Sequence, residues 1–238
     1  MLQHHKILVW VVILSLFLAG CGNEVKKEYY RSGGLRISAE YNSDGKLDGT
    51  YEKYYRDGDM EIKSNYKDGK LNGPYKKWYE NGQLKIDASY KNGKKFGKIK
   101  YFYKNGKLQE EAQLTEKGLE GKYCWYSKDG KYRWEKNYKN GKMDGDYVYY
   151  KDNKIIEKVE YKNGLRNGKS IYMYKDKVLV SGTFKEGELV NGVTSFIYPM
   201  RDIYCRRVPT ILENNQQFNR ALECNQIIDR YQTADGLK

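Results

Sequence analysis

The chain has 238 residues, with 44 Lys and Arg against 31 Asp and Glu, which gives a formal net charge of +13 at pH 7. Its histidines, His4 and His5, both lie in an apolar N-terminal segment that we expect to be removed, so the mature chain contains none. This composition excludes Ser-His-Asp and Cys-His catalysis, histidine-based zinc sites and a histidine pH switch. We therefore predict a non-catalytic protein without a metal or cofactor, whose basic surface favours anionic partners.

The N-terminus has the pattern of an export signal. Residues 7–19 form an apolar run, which has the length of a signal-peptide core and is too short to span a bilayer comfortably. The run ends in Leu18-Ala19-Gly20-Cys21, which is similar to the lipobox of bacterial lipoproteins. The resemblance implies that residues 1–20 are cleaved off and that Cys21 receives a diacylglycerol. An ordinary secretory signal followed by a chance cysteine is the alternative.

Cleavage would leave a lipid-anchored chain that begins with a polar tether, residues 21–28. It would carry 43 basic and 31 acidic residues, a net charge of +12. Two or more acyl chains suffice for stable anchoring. Gly22 follows the cysteine, which resembles the pattern sent to the outer membrane in a two-membrane bacterium. In a one-membrane organism we expect the outer face of the cytoplasmic membrane.

A repeat of about 24 residues fills residues 29–198, which is typical of arrays whose units rest on their neighbours. Each unit has a strand of the form Gly-x-Tyr-x-x-aromatic-Tyr, an Asn-Gly or Asp-Gly turn, a second strand and a second such turn. These pairs favour the positive φ of tight hairpins. We predict an all-β meander of antiparallel hairpins, with about a dozen strands. The glycines that mark the period are Gly49, Gly73, Gly97, Gly121, Gly145, Gly168 and Gly192.

The recurring glycine, aromatic pair, Asn-Gly and Tyr-Lys-Asn-Gly-Lys, best seen in residues 73–94, resembles the bacterial MORN repeat variant. The resemblance covers residues 29–198. It implies a twisted β-meander that mediates binding or assembly and does not imply catalysis. Some bacterial proteins of this type are labelled antitoxins, and many are lipoproteins.

Strand alternation predicts two different faces. The expected core face of the second unit contains Tyr75, Lys77, Tyr79, Leu84, Ile86, Ala88 and Tyr90. The opposite, polar face carries one aromatic or large apolar residue per unit, which forms a candidate binding stripe. A ladder that binds a polymer and a seal over a thin sheet are the two interpretations, and a β-bulge at the aromatic pair would invalidate the assignment. The stripe consists of Tyr54, Trp78, Phe102, Tyr126 and Tyr149, and the series also includes Tyr29, Met173 and Ile197.

Two further patterns have structural explanations. Residues 164–170 imitate a phosphate-binding loop but precede strand residues, so we interpret them as a repeat turn. Cys205 and Cys224 lie outside the repeats and are the candidate disulfide, since an envelope location permits one. Cys124 is then left over in a strand, where a packed cysteine is favoured over a reactive thiol.

The C-terminal segment, residues 199–238, departs from the repeat. Thr210 and Glu213 have capping-box spacing, and apolar residues then recur on one face of a predicted helix of about twenty residues. A helical cap on the last edge of the array is the simplest role, and a partner-binding helix is the alternative.

Together these features predict an envelope lipoprotein whose repeat array is a scaffold for a partner protein or an anionic envelope polymer. An immunity or antitoxin-like protein is the alternative. Nucleic acid fits the charge, but the export signal argues against it.

Overall fold

The computed structural model describes residues 23–194 and 211–223. The signal peptide, Cys21, Ile197, Cys205 and Cys224 lie outside the described residues. The chain forms two units, residues 1–116 and 117–238, and each is described by itself. Among the described residues no helix is both long and apolar enough to cross a bilayer.

Unit 1 is a meander of antiparallel strands, each paired with the next in the chain. The first strand corrects the predicted tether, because residues from Glu24 onward pair with β2 instead of forming a free linker. The strands are β1 Glu24–Tyr29, β2 Leu35–Tyr41, β3 Leu47–Tyr54, β4 Met60–Lys67, β5 Lys70–Trp78, β6 Leu84–Lys91, β7 Lys94–Phe102 and β8 Leu108–Thr115.

Unit 2 continues the same hairpin pattern and adds a helix. The predicted all-β repeat meander with a short C-terminal helix is confirmed. The strands from β10 onward pair antiparallel in chain order, and the helix α1 comprises residues 215–223. The strands are β9 Gly118–Leu119, β10 Gly121–Tyr126, β11 Tyr132–Lys139, β12 Lys142–Lys151, β13 Lys154–Lys162, β14 Leu165–Tyr174, β15 Lys177–Lys185, β16 Glu188–Thr194 and β17 Ile211–Leu212.

The two turns of each repeat differ. In the β4–β5 turn both Asp68 and Gly69 have positive φ, 49° and 79°, as the Asp-Gly pair predicts for a two-residue hairpin loop. In the β3–β4 turn only Gly58 has positive φ, and its amide donates to the Tyr55 carbonyl over 3.1 Å. In this second kind of turn, which is longer, the Asp-Gly pair therefore supplies positive φ through its glycine alone.

Successive two-residue turns are joined along one edge. The Gly69 amide donates to the Leu47 carbonyl over 2.7 Å, and the Asp68 amide donates to the Asp48 carboxylate over 3.1 Å. This backbone donor, followed by the Asn23 amide, holds the pKa of Asp48 below its usual value. Equivalent links recur in later repeats, where the two residues before Gly73, Gly121 and Gly145 connect one turn to the next. The other acceptors are Asn72, Glu120 and Asp144.

A β-bulge near the first hairpin turn of most repeats decides which side chains share a face, whereas the β10–β11 hairpin keeps a continuous register. Lys77 pairs with Ile86, but Trp78 pairs with Leu84, so Lys85 is skipped. Because paired residues of antiparallel strands lie on the same face, Trp78 and Leu84 share one face, here called the stripe face. Lys77 and Ile86 share the other, here called the tyrosine face. The prediction that Leu84 lies with Ile86 is wrong, because the skipped residue reverses the alternation.

Large and small residues alternate across the tyrosine face of unit 1. Ser64 pairs with Tyr51 on one side and Tyr75 on the other, and Tyr75 pairs in turn with Ala88. Ser64 and Ala88 are 1% and 2% exposed, so the neighbouring rings cover them. The Tyr75 and Tyr90 rings meet edge to face at 5.5 Å, a geometry that adds about 0.5–1.5 kcal/mol beyond area burial.

In unit 2 the helix α1 packs on the tyrosine face of the last strands. Phe218 is fully buried, and its ring meets that of Phe184 edge to face at 4.9 Å. Gly182 provides the room, since a Cβ there would lie 2.6 Å from the Phe218 ring. The buried cluster consists of Tyr172, Leu179, Val180, Phe184, Leu189, Leu212, Phe218, Ala221 and Leu222.

The start of the helix differs from the prediction. The Asn214 side chain accepts the Gln217 amide at 3.0 Å and acts as the N-cap, whereas Leu212 belongs to β17, which pairs with β16. The predicted capping box at Thr210 and Glu213 is therefore wrong, because tertiary strand pairing extends through Leu212. Asn215 then fixes the helix to the β15–β16 turn, since it accepts the Leu189 amide and donates to the Gly187 carbonyl.

Candidate functional site

Three predicted stripe residues of unit 1, Tyr54, Trp78 and Phe102, lie on one face and are half-buried. Each pairs in register with an apolar residue of the following strand: Met60, Leu84 and Leu108 respectively. The stripe is therefore a double row of rings and aliphatic side chains, and each ring is partly covered by its own hairpin.

The tyrosine that follows each stripe residue joins neighbouring repeats. The Tyr55 hydroxyl donates to the Trp78 carbonyl over 2.7 Å, and the Tyr79 hydroxyl donates to the Phe102 carbonyl over 2.9 Å. Tyr30 makes the same bond to the Tyr54 carbonyl. The second residue of the aromatic pair thus has a structural role, which explains why it is a tyrosine and not simply an aromatic residue.

In unit 2 the structure corrects the predicted stripe. Tyr126 pairs with Arg133 on the stripe face, and Tyr150 follows there with its ring 3.8 Å from the Arg133 guanidinium. Tyr149 pairs with Trp134 and Glu157 on the tyrosine face. The assignment of Tyr149 is therefore wrong by one residue. Tyr150, five residues after Gly145, occupies the place that Trp78 occupies after Gly73.

Several lysines of the stripe face in unit 1 are paired with carboxylates. Lys63 lies 2.9 Å from Glu52. Lys76 lies 3.8 Å from Asp87, and the carboxylate of Glu111 lies between two lysines. Such exposed pairs contribute little stability, but they neutralise much of the local charge. The picture of an aromatic ladder on a strongly basic face is weakened accordingly.

The tyrosine face of unit 1 is an open apolar surface. Tyr51, Tyr66, Tyr75 and Tyr90 are half-buried, and no second layer covers this face among the described residues of the unit. Burial raises the pKa of all four phenols.

One ion network lies on this face. The Glu61 carboxylate is 2.7 Å from Lys53 Nζ and 3.3 Å from Lys77 Nζ, and its side chain is 13% exposed. Burial opposes ionisation of Glu61, but hydrogen bonds from the two lysines outweigh it and hold the pKa below its usual value. Glu61 is the residue skipped at its bulge, so simple alternation could not have placed it here.

The remaining candidates have structural explanations. Cys124 is buried in β10 at 3% exposure, which agrees with a packed strand cysteine. Residues 163–164 form a two-residue turn with positive φ, and Leu165–Tyr174 is a strand, so the imitation of a phosphate-binding loop is a repeat turn. The candidate disulfide Cys205–Cys224 and the lipidation site Cys21 lie outside the described residues.

Four segments of the chain match a known repeat family. Residues 47–68, 71–92, 97–114 and 143–163 each match the MORN repeat variant, and these segments fall in both units. No curated protein matches the chain. The matched segments coincide with the hairpins described above, and in these four hairpins the chain is similar to the MORN repeat variant.

Proposed function

We propose that this protein is a non-catalytic, lipid-anchored scaffold of the bacterial envelope whose tyrosine face in unit 1 binds a partner protein. One observation carries the proposal. In unit 2 helix α1 buries the tyrosine face of the last strands, whereas no element covers this face among the described residues of unit 1.

The part of the tyrosine face that α1 covers in unit 2 indicates what kind of partner fits the uncovered part in unit 1. Helix α1 places Phe218, Ala221 and Leu222 against the sheet, and all three are buried. In unit 1 the same face offers Tyr75, Tyr90 and neighbouring isoleucines, so an amphipathic helix with an apolar face fits it. The net charge of +12 expected for the mature chain favours acidic residues at the edge of that helix.

The position of β1 supports anchoring close to the membrane. Only Gly22 and Asn23 separate Cys21 from Glu24, the first residue of β1. A chain spans at most about 3.3–3.6 Å per residue, so β1 would begin within about 11 Å of the lipidated cysteine. The array would then extend from the membrane surface with no flexible spacer. The antitoxin-like alternative is the special case in which the bound polypeptide is a toxin.

Two neighbouring lysines give a matched test of the binding face. Lys77 lies on the tyrosine face and Lys76 on the stripe face, so a photo-crosslinking residue at each position samples opposite sides of one strand. We expect illumination of intact cells to yield a discrete adduct from position 77 and none from position 76. The adduct should contain a protein with an amphipathic helix. Equal adducts from both positions, or none from 77, would contradict the proposal.

A further inference from the structure

An aromatic patch occupies the tyrosine face of unit 2 on strands β10, β11 and β12. Trp134 pairs with Trp125 on one side and Tyr149 on the other, and Lys136 pairs with Tyr123 and Tyr147 in the same way. All the rings of the patch are half-buried. The patch consists of Tyr123, Trp125, Tyr132, Trp134, Tyr138, Tyr147 and Tyr149, with Lys136 among them.

The rings are organised in contact with one another. The Trp125 and Trp134 rings stack with centroids 6.3 Å apart and planes inclined by 15°, and Tyr132 stacks on Tyr149 at 6.2 Å and 9°. Tyr123 supports Trp134 edge to face at 4.8 Å. These contacts restrict the ring orientations, so the surface is arranged before any ligand binds.

Lys136 is a departure from the repeat. The corresponding positions in the other hairpins hold Ser64, Ala88 and Val159, which are small or aliphatic and are buried. The Lys136 ammonium lies 4.4 Å from the Trp134 ring centroid and 5.7 Å from that of Tyr147. In the described part of the chain no carboxylate lies within ion-pair distance of it. Glu157, which pairs with Tyr149, interacts with Arg166.

Unit 2 thus has two chemically different areas on one face. The area of the sheet against which α1 packs is lined with Val180, Leu189 and other aliphatic side chains. The patch presents flat rings and the ammonium of Lys136, which has no carboxylate partner among the described residues. An aliphatic helix face matches the area covered by α1. The same helix face docked on the patch would leave the Lys136 ammonium desolvated without a counter-charge. A flat, polar ring with an anionic substituent matches the patch, because ring faces stack on tryptophan and the anion meets the ammonium.

We propose that this patch binds an acidic saccharide. A sugar ring stacks on Trp134 and Trp125, and its carboxylate or phosphate contacts Lys136 Nζ. The site goes beyond the protein-binding surface proposed for unit 1, and neither surface needs the other.

Substitutions to the residues of other repeats test the site with little risk to folding. Trp134→Ile introduces the residue found at positions 62 and 86, and Lys136→Ser introduces the one found at position 64. Lys122→Ser removes an equal charge from the stripe face, where Lys122 pairs with Glu135, and is the matched control. Thermal melts of all three variants verify folding.

The probes are a galacturonate hexamer, a phosphorylated dextran oligomer, a neutral glucan hexamer and a single-stranded DNA oligomer. Each is titrated into the lipidated full-length chain in detergent, with binding followed by calorimetry and tryptophan fluorescence. We expect at least one acidic saccharide to bind, with Kd raised tenfold or more by either patch substitution and less than twofold by Lys122→Ser. The neutral glucan should bind more weakly and respond only to Trp134→Ile.

Three outcomes would overturn the inference. They are the absence of binding to both acidic saccharides, an equal loss in the Lys122→Ser control, and tighter patch-dependent binding of DNA than of saccharide. Because crosslinking at position 77 reports on unit 1 alone, failure of this site leaves the proposed scaffold function to be judged separately.

Discussion

The hydroxyl of Tyr79 donates a hydrogen bond to the backbone carbonyl of Phe102, 23 residues further along the chain, over 2.9 Å. The same bond joins Tyr55 to Trp78. It links each repeat to the next through a side chain and a main-chain group. Arrays of this kind derive their stability from such nearest-neighbour interfaces.

Removing this link should weaken the array. We expect Tyr79→Phe to lower the free energy of unfolding by about 0.5–1.5 kcal/mol, because the Phe102 carbonyl loses its phenol donor. Urea denaturation of the purified chain measures this change in the free energy of unfolding. Tyr29→Phe is the control, since Tyr29 is 40% exposed and exposed substitutions usually stay within about 0.5 kcal/mol. Equal effects of the two substitutions would show that the bond is unimportant.

Substitution of a period glycine should destabilise the fold because of the backbone conformation that this glycine adopts. Gly73 has φ of +112° at a bulge where β5 carries two extra residues opposite β4, and residues with side chains rarely adopt that conformation. We expect Gly73→Ala to lower the free energy of unfolding by about 1–3 kcal/mol. Gly34→Ala, where a Cβ meets open space and φ is not positive, should be nearly neutral. Similar melting temperatures for both variants would refute the argument.

The Glu61 network should make stability depend on acid pH. Hydrogen bonds from Lys53 and Lys77 hold the pKa of Glu61 below its usual range in the folded state, so the ionised carboxylate stabilises the fold above that range. This stabilisation is lost as the pH falls through the lower folded pKa. We expect the stability difference between wild type and Glu61→Gln to be constant near neutrality and to shrink below about pH 4.5.

Removing the two partners of Glu61 provides the control. In a Lys53→Met, Lys77→Met background the effect of Glu61→Gln should depend on acid pH in the opposite sense, because the hydrogen bonds that lower the pKa of Glu61 are gone while its burial, which raises the pKa, remains. An unchanged pH dependence of the Glu61→Gln effect in that background would show that another group is responsible.

The stripe residues should behave as a structural seal. Trp78 and Phe102 are half-buried against Leu84 and Leu108, so we expect the double alanine variant to lose about 2–4 kcal/mol, somewhat less than full burial would imply. Phe96→Ala is the control, because Phe96 is 37% exposed. Thermal melts of the double variant and of the control measure the two losses of stability. A double variant that melts like wild type but no longer binds an acidic envelope polysaccharide would restore the binding-ladder interpretation.

Anchoring is tested at the lipobox. We expect Cys21→Ser to convert a membrane-pelleting protein into one that is soluble or retains its signal peptide, because the acyl chains have no other attachment point in that motif. Detergent phase partition and intact mass measure the change. A wild-type mature mass without added acyl chains would end the lipoprotein hypothesis.

Local patterns in the sequence determined the period, the hairpins and the two-residue turns. Asp68-Gly69 and its equivalents encode their backbone conformation directly, since positive φ depends on the residues themselves. The period glycine was recognised for the same reason, although its place at a bulge became clear only from strand pairing.

The tertiary structure alone decided which side chains meet. A skipped residue in hairpins such as β3–β4 and β5–β6 reverses the alternation, so Leu84 was predicted on the wrong side and Glu61 could not be placed. Tyr149 was predicted in the place that strand register gives to Tyr150. Strand pairing through Leu212 likewise moved the helix start to Asn214. The aromatic patch around Lys136 was missed because its rings come from three strands, and only their register brings Trp125, Trp134 and Tyr149 together.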